Sequence, residues 1–182
     1  MPERGLARSL VEAYVHLDLV AHGGEPGASR RAAVAEEQDG WVLRLGDAEV
    51  LVPYEAEAGA RHEQLTFGSG LSELIDPGQW VLIAATYARR ALEGGLFLAA
   101  GPSDAGAFDT VAADWRVAAD AVAEALKFFP DGATELPQEA FWSEMGRSLR
   151  ELQPDRLTRR KLEDDLAFYR QSLDDLHRLQ TQ

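Results

Sequence analysis

The chain has 182 residues, 46% of them apolar and 27% charged, with no cysteine and a net charge of −13. Those proportions suit a folded protein with an ordinary core and exclude wholesale disorder. The absence of cysteine excludes disulfides, thiolate nucleophiles and thiolate metal sites, and the negative balance repels nucleic-acid phosphates and anionic membranes.

Leu6, Leu10, Tyr14, Leu17 and Ala21 recur at helical spacing and predict a first amphipathic helix, stopped by Gly23 and Gly24. His22 to Ser29 follows as a Gly/Pro loop. Asp39-Gly40 predicts a hairpin turn, since both central residues of a type I′ turn need positive φ. In the strand Trp41–Leu45, alternation sets Trp41, Leu43 and Leu45 on one face. Gly46-Asp47 turns the chain into a strand over Glu49 to Tyr54, where Pro53 marks an edge or an end. Glu55 to Gly70 is weakly patterned and reads as a solvated loop, with Gln64 to Phe67 offering a fourth short strand.

Asp76-Pro77-Gly78-Gln79 is a helix start: Asp caps, Pro at N1 gives up no needed donor, and Gln completes a capping box. The helix it opens runs to Leu92, is apolar nearly all round, and ends at Gly94-Gly95. Asp109 to Phe129 predicts the next helix, with Val111, Trp115, Ala118, Val122, Ala125 and Phe129 on one face. Pro137 opens another through Leu152, with Trp142, Met145, Leu149 and Leu152 inward, and Pro154 separates it from the last. There Leu162, Leu166, Tyr169, Leu173 and Leu176 form a narrow apolar stripe among charges. The fold class is therefore α+β: an N-terminal helix, a small antiparallel β-meander, then a mainly helical C-terminal half, a bundle packed on the sheet. Residues 1–76 hold the helix and meander and 77–182 the helical part, as one continuous domain.

Asp76-Pro77-Gly78-Gln79-Trp80, Leu126-Lys127-Phe128 with Pro130, Gly132 and Ala133, Pro137, Ala140-Phe141-Trp142-Ser143-Glu144, Gly146-Arg147 and Leu162-Glu163 carry a resemblance. The chain resembles, mostly from Asp76 onward, a family of bacterial proteins from GC-rich genomes. The resemblance implies no activity. Relatives carry a cysteine pair just after the first helix, which implies a metal knuckle. Here that stretch is Ala21-His22-Gly23-Gly24-Glu25-Pro26, so the zinc reading does not carry over.

The candidate chemistry is sparse. Glu12 and His16 stand four apart on a helix and can touch one metal together, but two ligands do not close a site, and a surface i,i+4 pair is the simpler reading. His22 does not share a face with His16, and His177 sits among charges near the end of the sequence. Gly68-Ser69-Gly70 lacks both the nucleophile elbow and the P-loop lysine and reads as a turn. Arg156, Arg159, Arg160 and Lys161 oppose the dipole of the last helix, and pairing with Glu151, Asp155 and Glu163 accounts for them. No catalytic, cofactor or metal constellation emerges.

From Ala32 to Asp76, ten acids face only Arg44 and Arg61. The acids of the meander lie at opposite ends of its central strand and frame the sheet, which suits a broad negative face better than a cation site. The leading expectation is a non-enzymatic cytoplasmic protein, immunity-like or chaperone-like, that binds another protein through Glu36, Glu37, Asp39, Asp47, Glu49, Glu55 and Glu57. A basic protein suits that surface; nucleic acid and membrane do not. The alternative is a small-ligand-binding protein or enzyme with a pocket between the sheet and the Trp80–Leu92 helix, using Glu12, His16 or Glu55. The terminal stripe is read as the last helix of an internal bundle, with a homodimer through Leu162, Leu166, Tyr169, Leu173 and Leu176 as its alternative.

Overall fold

The computed structural model describes residues 3–22, 26–101 and 104–181. Residues 23–25, which include the expected Gly23-Gly24 helix stop, lie outside them. The chain is α+β and divides into two compact units, Met1–Asp76 and Pro77–Gln182.

The first unit holds β1 (Gly5–Leu6), α1 (Leu10–His22), β2 (Ala33–Glu36), β3 (Gly40–Leu45), β4 (Ala48–Pro53) and α2 (Tyr54–His62). The sheet is four-stranded in the order β1-β4-β3-β2. The meander is present as expected, but the fourth strand is not Gln64–Phe67. It is β1, parallel to β4, so the sheet is mixed. Leu6 is thus drawn out of the first helix into the sheet. The cause is local: Ser9 caps the helix, its Oγ accepting from Glu12 N at 3.1 Å, so the helix begins at Leu10.

The hairpin between β2 and β3 also differs from expectation. Its turn residues are Gln38 and Asp39, closed by Glu37 N donating to Gly40 O at 2.9 Å. Gly40 lies in β3 without a positive φ. Its glycine is needed for space, because a Cβ there would overlap the backbone of Val52 on β4. Gly46, at φ 59°, makes the second turn as expected. Leu43, Val50 and Val52 share the sheet face that meets α1 and are buried with Ala13, Leu17 and Leu19.

The second unit is helical. It holds α3 (Pro77–Ala100), α4 (Ala105–Leu126), α5 (Glu144–Leu152) and α6 (Arg159–Gln180). α3 starts where the capping motif places it but runs straight through Gly94-Gly95. Gly94 is there for close approach, since a Cβ would come within 2.6 Å of Val111 Cγ2 on α4. α5 is shorter than expected, opened by Ser143, whose Oγ accepts from Gly146 N at 2.9 Å. Its inward residues are Gly146 and Leu149, after Phe141; Trp142 and Leu152 are exposed. The reason is the steric fit of Gly146, whose backbone touches Gly78 of α3 and fixes which face of the short helix turns in.

α6 packs along α4 within this unit. Leu162 is buried, and Tyr169, Leu173 and Leu176 cover a core of Ala88, Ala91, Val111, Trp115 and Ala118. The terminal stripe is an internal helix face. Among the described residues no helix is long and apolar enough to cross a membrane.

Candidate functional site

Two places concentrate side chains beyond those a core needs, one in each unit.

In the first unit, polar groups gather at the start of α1. Glu12 is fully buried, not a surface residue. Its carboxylate accepts from Arg8 N at 2.6 Å and from the Arg8 guanidinium at 2.7 Å. Arg8 extends to the Gly70 carbonyl at 2.6 Å, so the Gly68–Gly70 turn, with Gly68 and Gly70 at positive φ, serves to hold the arginine. Glu57 is likewise buried, because Tyr54–His62 is a helix and not a solvated loop. The first turn of α2 sits on Pro53, and from it Glu57 accepts Leu10 N at 2.7 Å and Arg61 Nε at 2.7 Å. Two carboxylates therefore take up free N–H groups at the N-terminus of α1, where the helix dipole favours negative charge. Both are spent on this anchoring and leave no lone acid or base.

His16 stands one turn along from Glu12. Its Nδ1 is buried without a hydrogen-bond partner among the described residues, and burial pulls the imidazole down to about 4, with the Glu12 charge opposing. The ring is neutral at pH 7. Asp18 is a further buried acid, accepting Ser29 N at 2.7 Å and Gly27 N at 3.3 Å to fix the return into the sheet. Arg8 and Asp18 carried no signal beyond their charge; Ser9 just before Leu10 was a legible N-cap.

The acids expected to form one surface divide into three kinds. Glu37 and Glu49 meet Arg4 and Arg44 in an alternating network, with Arg4–Glu37 at 2.8 Å, Arg4–Glu49 at 3.0 Å, Arg44–Glu49 at 2.6 Å and Arg44–Glu37 at 3.3 Å. Arg4 holds the Glu37 carboxyl below the usual carboxylate range, and Glu49 raises the Arg44 guanidinium. Glu57 is the buried cap. Glu36, Asp39, Asp47 and Glu55 remain exposed. Acids from the two ends of β3 are thus joined through arginine rather than only framing the sheet.

Of the basic residues at the start of α6, Arg156, Arg159 and Lys161 are engaged locally and Arg160 is exposed. Arg159 donates to Ala133 O at 2.6 Å and Pro130 O at 3.1 Å and lies over the Phe129 ring at 4.9 Å. Lys161 pairs with Asp165, and Arg156 with the Gln153 side chain. His62 and His177 are exposed. No group of three or more His, Asp or Glu able to hold a metal occurs among the described residues.

The second place is a cleft between the ends of α3, α4 and α6, with a volume of about 820 Å³. Its floor continues the core: Ala91, Val111, Trp115 and Leu176. Trp115 is held by Phe168 and Tyr169 at ring-centroid distances of 6.1 and 5.8 Å. Beyond Val111 the layer runs out of side-chain volume. α3 offers Gly95 and Ala99, and α4 offers Phe108 after Ala105, Gly106 and Ala107, while α6 continues to Leu179. The small side chains of Gly95 and Ala99, set among Leu92, Leu96 and Leu98 of the same helix, leave an open apolar space between the three helices. Its polar groups are few. Ser172 donates to Phe168 O, and Asp175 accepts from Gln171 and Arg178. No protein-family model, curated protein or solved structure matches the chain. The signal for this cleft lay in the small residues around Gly94-Gly95, whose pairing resembles a helix stop.

Proposed function

We infer that the chain is a non-enzymatic cytoplasmic protein that binds another protein, and that the apolar cleft between α3, α4 and α6 is where it does so. The observation that carries this reading is the rim. Leu92, Leu96 and Leu179 line the cleft yet are 52%, 72% and 70% exposed. A partner's apolar helix or loop covers cavity and rim together, which is what a contiguous exposed apolar patch signifies. Glu36, Asp39, Asp47 and Glu55 on the first unit add long-range attraction for a basic partner. The carboxylates at the start of α1 are engaged in holding the helix, which favours a binding role over acid–base catalysis.

A photo-crosslinking residue at Leu96, expressed in the native cell, tests this. The expected result is a discrete protein adduct that disappears when Ala99→Trp fills the cleft. No adduct, or one that Ala99→Trp leaves unchanged, refutes it. The cavity volume also falls within the range of small-molecule sites, roughly 300–1,000 Å³. An apolar small molecule is therefore the second reading, recognised by native mass spectrometry as a bound mass lost in Ala99→Trp.

A further inference from the structure

We propose that a cavity of the first unit, between α1, the 3-10 turn Ala28–Arg31 and β2, binds a small organic carboxylate. Its volume is about 400 Å³, and Tyr14, Ser29, Arg30, Ala32 and Val34 line it. The site is separate from the α3–α4–α6 cleft, which belongs to the second unit.

Two local facts create the opening. Asp18 stands one turn along α1 from Tyr14, and its carboxylate accepts from Gly27 N and Ser29 N. That pins the 3-10 turn beside α1, and Ala32 N donates to Ser29 O before the chain enters β2. On the sheet, Val34 pairs with Leu43 and shares its face. Leu43 is fully buried whereas Val34 is 50% exposed, so the cover over this face ends between the two strands. Ala32 is too small to fill the margin. The space left has Ala32 and Val34 as its apolar part and Tyr14, Ser29 and Arg30 as its polar part.

The three polar side chains can all donate, and none has an acceptor. The first unit has fourteen acids and six arginines. Arg4, Arg8, Arg44 and Arg61 pair with glutamates, and Arg31 is engaged as well. Arg30 makes no ion pair and no side-chain hydrogen bond among the described residues. The Tyr14 and Ser29 hydroxyls also lack a partner among them, although Ser29 is only 6% exposed. No acid lines the cavity. A free guanidinium beside two free hydroxyls, in so acidic a unit, suits a ligand that brings its own negative charge. The size of that charge sets the class. A carboxylate balances one arginine and presents two oxygens to the guanidinium fork. A phosphate monoester brings about −1.5 to −2 at pH 7, more than one arginine offsets. Val34, Ala32 and the Tyr14 ring take up an apolar body.

NMR of the backbone amides and arginine Nε groups of the full chain, titrated with phenylacetate, is the test. Saturable shifts at Ser29, Val34 and the Arg30 side chain are expected, with a Kd of about 1 mM or tighter. Arg30→Gln, at an exposed position, should weaken binding at least about tenfold and leave the Leu43 and Val50 amides in place. Tyr14→Phe should weaken it about threefold. Phenethylammonium, which has a like body and the opposite charge, should not bind, and phenyl phosphate should bind no more tightly than phenylacetate. The absence of saturable shifts overturns the proposal. So does binding that Arg30→Gln leaves undiminished, binding of phenethylammonium at the same residues, or tighter binding of phenyl phosphate.

Discussion

Acidification should destabilise the first unit through His16. In the folded chain, burial holds this imidazole at about 4, against 6.5 for an ordinary histidine. Between those values the unfolded chain binds a proton that the folded chain does not. By linkage, stability then falls as the pH falls. The contribution is fully present above pH 6.5, declines from there, and is exhausted near pH 4. A difference of about 2.5 pH units corresponds to about 3 kcal/mol. Other groups titrate over the same window, so the informative quantity is the difference between the native chain and His16→Leu, which carries no proton. Urea unfolding at several pH values between 7.5 and 4, read from the amide signals of Leu43 and Val50, measures it. The stability lost by the native chain should exceed that lost by His16→Leu by about 3 kcal/mol across the window. An equal pH dependence in both proteins, or a His16 ring that titrates near 6.5 by NMR, would refute the assignment of a buried neutral imidazole.

Three further outcomes follow from packing. Glu12→Ala strands the Arg8 guanidinium and the Arg8 N–H, and should cost about 3 kcal/mol or more in urea unfolding, as breaking a buried ion pair does. A loss under about 1 kcal/mol would show that Arg8 finds water or another acceptor. Gly94→Ala and Gly95→Ala should differ in sign although both remove a helical glycine: Gly95 has open space and should gain about 1 kcal/mol, whereas Gly94 meets Val111 and should lose stability. Equal melting shifts for the two would contradict the close approach of α3 to α4. Leu162→Ala, at a position 1% exposed, should cost about 2–5 kcal/mol by calorimetry, whereas a small shift would mean that α6 is loosely held.

Elements whose boundaries are set by one local signal were legible in the sequence. Asp76-Pro77 opens α3, Gly46 makes its turn, and the α6 stripe lies inward. What was not legible depends on the neighbour a residue meets. Gly40 and Gly94 read as a turn and a stop because glycine is the usual residue for both, yet each is required by a facing backbone or side chain far along the chain. α2 was hidden because its alanines and acids show no apolar period, and its helix is held by Glu57 reaching Leu10 and by Tyr54 packing on Trp41 at 4.5 Å. The acids from Glu36 to Glu57 looked uniform in charge. Their different fates depend on Arg4 and on the Leu10 amide, which precede the acidic region and come to it only through β1 and the start of α1.

The same residue type closes one part of the helical unit and opens the next. At Gly94 the absent Cβ lets Val111 press against α3, in a core against which Leu173 and Leu176 of α6 also pack. One residue later Gly95 faces nothing within 4 Å, and with Ala99 and Leu179 it bounds the cleft. What separates the two is the facing helix: a Cβ at Gly94 meets Val111 of α4, and one at Gly95 meets nothing. If solubility alone had shaped this end, the positions of Leu92, Leu96 and Leu179 would carry charge, as most of the outer face of α6 does. Large apolar groups held in water around an unfilled apolar cavity are costly to stability and to solubility alike, and an occupant removes both costs at once.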